Sequence, residues 1–284
     1  MRTEGLLRDA VRRLVRRRTA VVGLAIVLFF LLVGLLAPLI APYDPLEVNP
    51  RARLSPMSRE NPMGRDELGR DILSRIIYGA RISLIVGVVS VSVGFVIGVP
   101  WGIVSGYKGG MLDLLTQRVV DALLSFPTIL LAILVVTVIG PGLWNTMLAV
   151  GLVSVPNYTR VVRGLVLSLR EEDYVTAARA LGASDVRVLL RHIMPNALAP
   201  VVVLSTLYLA TAILAAAGLG FLGLGAQPPM PEWGAMLSRG RLFLMVAPHV
   251  AVFPGLAILF AVLGYNLLGD GLRDALDPRL RGQV

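Results

Sequence analysis

Hydrophobic and polar residues in this 284-residue chain separate into long blocks bounded by arginines. Residues 19–40 carry no charge over 22 positions, about 33 Å as a helix, which suffices to cross a hydrocarbon core. Residues 82–107 form a second such run. A third, 122–159, is too long for one span, and Gly140-Pro141-Gly142 near its middle predicts two helices joined by a tight turn. A fifth span is predicted from about 198 to 222 and a sixth within 242–269. The pattern therefore predicts an all-α polytopic membrane protein with six transmembrane helices. One stretch breaks it. Residues 170–196, REEDYVTAARALGASDVRVLLRHIMPN, are charged and rich in small residues, yet lie between two spans.

Composition supports the membrane assignment: 56% of residues are hydrophobic and 16% charged, where a soluble domain carries about a quarter. The positive charges set the topology, because inner segments are enriched in Lys and Arg near the span ends. With the N-terminus inside, the inner segments hold 18 of the 27 Lys and Arg residues. The outer segments hold the rest, seven of them in 43–81, where six acids nearly cancel them. Both termini and the 170–196 hairpin are thus expected on the cytoplasmic side. The apolar part of 1–41 exceeds the 7–15 residues of a cleaved signal peptide, so an uncleaved signal anchor is expected.

Several apparent motifs fail on context. GLGFLG at 218–223 fits a dinucleotide-binding pattern but follows an apolar helical run instead of a strand. Its glycines are better suited to close helix packing. His192 and His249 have no neighbours at metal-ligand spacing, and the chain contains no cysteine. No nucleophile–base–acid order suggests an active site, and no phosphate-binding loop is present. The spans also lack the acidic residues usual in gradient-driven carriers. Energy for uphill transport would then enter from outside the bilayer. Neutral Asn145, Asn157 and Asn266 are candidates for contact with a solute or for bonds between helices.

The hairpin reads clearly. Glu171, Glu172 and Asp173 suit a helix start, where the macrodipole favours negative charge. Gly182 suits the helix end, and Ser184 can cap a second helix over 185–193 whose stripe is Leu189, Leu190 and Ile193. Pro195 is expected to interrupt the passage into the next span. Ala177, Ala178 and Gly182 offer almost no side chain, so another protein's backbone can approach them closely. The residues alone leave open whether the hairpin packs on its own bundle or receives a partner. Outside the bilayer, Ile72, Leu73, Ile76, Ile77 and Ala80 share a helical face, with Asp71, Arg75 and Arg81 largely away from it. This predicts an amphipathic helix on the outer surface. Trp233, in GAQPPMPEWGAM, suits an anchor at the headgroup level.

TAARALGASDVRVLLRHIMPN resembles the EAA loop of ABC importer permeases, with Thr176 in place of the usual leading Glu. NPMGRDELGRDILSRIIYGARISL, GLGFLGLGAQPPMPEWGAML and NLLGDGLRDALDPRL resemble the dipeptide/oligopeptide/nickel permease family, specifically the second permease of the pair. Gly220 stands where that family is expected to carry serine. The resemblance implies a type I ABC importer permease fold in which 170–196 is a cytoplasmic coupling-helix hairpin. Its implied ATPase-coupling residues are Tyr174, Thr176, Ala177, Ala178, Leu181, Gly182, Ala183, Ile193 and Pro195. It further implies a second homologous permease chain, two ABC ATPase subunits that carry ATP and Mg, and an extracytoplasmic solute-binding protein. No cofactor or metal on this chain and no nucleic-acid partner are expected. Expected boundaries are a basic cytoplasmic N-terminus at 1–18, a first span at 19–42, an external segment at 43–81, a five-helix core at 82–270 and a cytoplasmic tail at 271–284. The function implied is import of dipeptides, oligopeptides or a small solute such as a nickel chelate across a prokaryotic cytoplasmic membrane. An ATP-independent channel or secondary transporter is the alternative that the composition alone leaves standing.

Overall fold

The computed structural model describes residues 14, 15 and 17–276. Most of the basic N-terminus and the end of the tail, 277–284, lie outside the described residues. The helices are α1 (Arg18–Leu35), α2 (Ala37–Ile40), α3 (Ile72–Lys108), α4 (Gly110–Leu124), α5 (Thr128–Ile139) and α6 (Leu143–Leu169). They continue with α7 (Asp173–Ala180), α8 (Asp185–Val188), α9 (Met194–Phe221), α10 (Trp233–Gly240) and α11 (His249–Leu276). Among the described residues the sole β pairing is an isolated bridge between Arg65 and Asp71.

α3 is the centre of the bundle and α6 lies along it. Gly98, Gly102 and Gly106 repeat every fourth position on α3, and the backbone of α6 comes down onto them. A Cβ at Gly98 would stand 2.8 Å from the Val155 carbonyl oxygen, and one at Gly102 2.6 Å from that of Thr159. Any larger residue would force the two helices apart. Of the GLGFLG glycines predicted to serve packing, Gly220 does so, with Gly225 close against it at the turn that ends α9, whereas a Cβ on Gly223 would meet nothing within 4 Å. α1 leans on α3 and α11, and α9 packs on α3, α6, α10 and α11.

Four helices, α1, α3, α9 and α11, are long and apolar enough to cross a membrane, or five if α4 and α5 together form one bent span. The predicted turn at Gly140–Gly142 lies between α5 and α6. The run expected to enter one helix at residue 122 is instead broken at Ser125–Pro127, where the chain bends by 92°. Pro127 supplies the cause, since its ring disfavours helical geometry at Phe126. α6 falls short on hydropathy because Asn145, Asn157, Arg160 and Arg163 dilute it. About 40 Å long by its 27 residues, it is a core helix of the bundle.

Three further expectations change. The helix predicted to lie apart on the outer surface is the first part of α3, which runs unbroken from Ile72. The last helix, α11, runs past the expected start of the tail at 271 and ends at Leu276. Trp233 is not a headgroup anchor. It is 1% exposed, donates its indole N–H to the Ile76 carbonyl at 3.1 Å and meets Phe30 edge to face at 5.5 Å. Around it Ile72, Ile76, Met236, Val250 and Ile258 form one part of the core.

Candidate functional site

The hairpin between α6 and α9 is closed by its own backbone. The Gly182 N–H bonds to the Arg179 carbonyl at 2.9 Å, and the Ala183 N–H to that of Ala178 at 3.0 Å. This paired ending of α7 requires a left-handed residue, which Gly182 provides at φ +83. Ser184 then caps α8 by accepting the Arg187 N–H at 3.4 Å. Pro195 does not interrupt the path into α9. A π turn at Leu189–Ile193 widens the helix, so the backbone continues past a proline that has no N–H to give. Asn196 fastens this junction by donating to the His192 carbonyl at 2.7 Å and to the Tyr174 hydroxyl at 3.3 Å.

One face of the hairpin docks on the ends of α3 and α6. Val175, Val188 and Ile193 are fully buried in a cluster with Ile103, Val162 and Val166. Ala178 is also buried, at 9% exposed. The stripe of the second helix is likewise Val188, Leu189 and Ile193, because Leu190 is exposed. Polar clamps flank this contact. The Tyr107 hydroxyl donates to Asp185 at 2.6 Å, the Arg179 guanidinium lies 5.6 Å from the Tyr107 ring centre, and Arg170 donates to the Gly106 carbonyl at 3.1 Å. Sequence reasoning missed Val175, Val188 and Tyr107. The valines sit at buried positions of otherwise charged helices, and Tyr107 lies far away in sequence.

The opposite face is open. Tyr174, Thr176, Ala177, Leu181, Gly182 and Pro195 are exposed, with Leu181 at 89%, while Ala183 is half-buried and Ile193 fully buried. A Cβ on Gly182 would meet nothing within 4 Å. Val186 and Leu190 extend the same exposed apolar rim. Partial burial, and secondarily Glu172 nearby, pushes the Tyr174 hydroxyl above its ordinary pKa, so it stays protonated at neutral pH. Among the described residues no group of acids and histidines is arranged to hold a metal, and this face offers small and apolar side chains instead.

The far end of the bundle buries its charges. Arg70 and Arg75 are 2% and 3% exposed, contrary to the expectation that Arg75 points away from the packed face. Arg70 pairs with Asp66 at 2.7 Å and Glu67 at 3.1 Å. Arg75 reaches the Pro45 carbonyl at 2.9 Å, and Arg239 on α10 reaches Glu67 at 3.3 Å. Glu232 is also buried, and its two carboxylate oxygens accept the Gly234 and Ala235 N–H groups at 2.7 Å each. Burial pushes its pKa up despite those two bonds. Gly220 makes room for this carboxylate, since a Cβ there would lie 2.5 Å from Oε2. Asn145 donates to the Ile139 and Gly140 carbonyls and so closes the α5–α6 turn.

Residues 98–282 match the family described as "Binding-protein-dependent transport system inner membrane component", and residues 5–56 match the N-terminal TM domain of oligopeptide transport permease C. This chain belongs to the binding-protein-dependent permease family. The dipeptide transport system permease protein DppC of Alkalihalophilus pseudofirmus is 48% identical over 274 residues, covering 96% of this chain and 90% of that protein. The glutathione transport system permease protein GsiD of Pectobacterium atrosepticum is 46% identical over 275 residues, covering 96% and 91%. Among solved structures, the MetNI methionine ABC transporter in an inward-facing form matches with a TM-score of 0.57 and 22% identity. That match covers 71% of this permease and 96% of the other chain, and shows the shared fold. The permease is therefore an all-α, multi-pass inner-membrane component of an ABC importer, and the 170–196 hairpin lies within its matched region.

Proposed function

We propose that this chain is the membrane-spanning subunit of an ATP-driven importer of short peptides, and that residues 170–196 couple it to a separate ATPase. The observation that carries the coupling is the two-faced hairpin. Val175, Val188 and Ile193 fix it to α3 and α6, while Thr176, Ala177, Leu181 and Gly182 present a small, apolar rim to the outside. A loop serving its own bundle alone would gain nothing by leaving Leu181 89% exposed beside a bare glycine. Peptides are the favoured substrate class because the relatives named above carry dipeptide and glutathione in their names.

In the proposed cycle a second, homologous permease completes the translocation path. Two ATPase subunits bind ATP and Mg beneath the pair, one of them seated on this hairpin. Closure of the ATPases displaces the hairpin. The displacement passes into α3 and α6 through the buried valines and through Arg170 and Tyr107, because close packing on the glycine ladder lets the two helices move together. An extracytoplasmic binding protein delivers the peptide to the opened cavity. The termini and the hairpin lie on the cytoplasmic side, following the arginine bias. The test is uptake of a labelled dipeptide by proteoliposomes holding this chain with its co-purified subunits and binding protein. Uptake is expected only with enclosed ATP. Equal uptake without ATP would overturn coupling, and uptake of neither dipeptide nor glutathione would overturn the substrate class.

A further inference from the structure

α1 runs antiparallel to the start of α3, and the two touch closely at Gly34, where a Cβ would lie 3.0 Å from the Arg81 amide nitrogen. Gly34 stands six residues before the end of α2 at Ile40, about 9 Å along the axis. Arg81 thus stands at the head of the uncharged 82–107 run. A cation so placed reaches toward the interface and needs a counter-charge. None is supplied: Arg81 is exposed and has no ion pair or side-chain hydrogen bond among the described residues. Arg75, six residues earlier, reaches the Pro45 carbonyl at 2.9 Å and Asp66 at 3.5 Å.

Arg81 borders a cleft of about 680 Å3, open to the surface, between the end of α1, α3 and the Pro229–Pro231 turn. Tyr43 and Tyr78 line it, two aromatic residues of the kind that sit at headgroup depth. Asp44 lines it too, so the cleft offers one cation and one anion. The helices that lead to it, α1 and α2, carry bare apolar side chains: Leu32, Leu35 and Leu39 are 52%, 70% and 82% exposed. A ligand matching both parts carries a phosphate, an ammonium group and long apolar chains.

We propose that the cleft holds a phospholipid with an ethanolamine headgroup, its phosphate on Arg81, its ammonium toward Asp44 and its acyl chains along the exposed leucines of α1. Under the orientation above this lipid belongs to the outer leaflet. It would fill the gap between α1 and the proline turn that packs beside Trp233.

The test is to place the purified transporter complex in phosphatidylcholine nanodiscs containing equal trace amounts of phosphatidylethanolamine and phosphatidylglycerol, and to weigh retained lipids by native mass spectrometry. Phosphatidylethanolamine is expected to be enriched on the wild type. The enrichment should fall at least about fivefold in Arg81→Gln, be largely restored in Arg81→Lys, and shift toward phosphatidylglycerol in Asp44→Asn. Each variant is compared as an assembled complex of normal size, so a misfolded chain is not counted. No enrichment on the wild type, or equal retention by Arg81→Gln, would overturn the site. Preference for phosphatidylglycerol by the wild type would overturn the ethanolamine assignment. Displacement of the lipid by dipeptide alone would show the cleft to be a solute site.

Discussion

The two ends of this permease treat polar and apolar groups in opposite ways. At the end away from the hairpin, the outer end under the proposed orientation, charges are buried and matched: Asp66, Arg70 and Glu67 form a network, Arg75 joins it to Pro45, and Arg239 ties in α10. At the hairpin end apolar groups are exposed and unmatched: Leu181, Val186 and Leu190 stand in the open while the charges beside them are solvated. A closed network holds one arrangement and gives a partner little to grip. An open rim on a firmly seated hairpin gives a partner surface to bury, at about 25 cal/mol per Å2. One end is built to stay put, and the hairpin end leaves an apolar surface free, as the proposed coupling requires.

The largest expected effect comes from breaking the closed end. Arg70→Leu leaves the buried Asp66 without its principal cation and should destabilise the chain by about 3–5 kcal/mol. Thermal unfolding in detergent should show a large loss, whereas Leu181→Ser on the open rim should stay within about 0.5 kcal/mol of wild type. Equal losses would erase the contrast.

Next is the seat of the hairpin. Ile193→Ala empties a fully buried position and should cost about 2–5 kcal/mol. Because the cavity lies under α8, the loss should appear as faster protease cleavage within 170–196 before the spans loosen. Cleavage elsewhere first would mean that the hairpin is no separate unit. A smaller change is Tyr107→Phe, which removes the 2.6 Å bond to Asp185 and should cost about 1 kcal/mol. Its readout is the same cleavage assay, with a milder rise expected.

Smallest is a pH effect at the outer end. Burial raises the Glu232 pKa in the folded state, so the protonated form is favoured there. Its contribution is fully present below the unfolded carboxylate pKa and declines as pH rises through the higher folded value. Thermal stability of the wild type should therefore fall slightly over that window relative to Glu232→Gln. Identical pH profiles would contradict this.

The same contrast explains what was legible in the sequence. The hairpin's turn could be read because its signals are local: acids at the first helix start, Gly182 at its end and Ser184 as the next cap. Pro195 misled because a π turn, which no local composition announces, lets the helix carry on around it. The outer end was misread for a deeper reason. Helical periodicity assigns Asp71 and Arg75 to a polar face and assumes that face meets water. Here the irregular 41–71 segment folds back over it: Arg75 reaches Asp66 and the Pro45 carbonyl, and Asp71 accepts from Asn61 and Ser74. Trp233 likewise looked like a headgroup anchor until its partner, the Ile76 carbonyl, was in place 157 positions away. The break between α4 and α5 was local and readable at Pro127, yet the uncharged run around it hid the signal.

The most direct test of the central claim is to purify the tagged complex carrying Leu181→Glu and measure the yield of ATPase subunit per permease beside the wild type. A charge on the rim leaves Val175, Val188 and Ile193 untouched. The account predicts a loss of most of the ATPase with the second permease still bound and the unfolding temperature unchanged. Full retention of the ATPase, with ATP-driven uptake intact, would contradict the assignment of the open rim as the coupling surface.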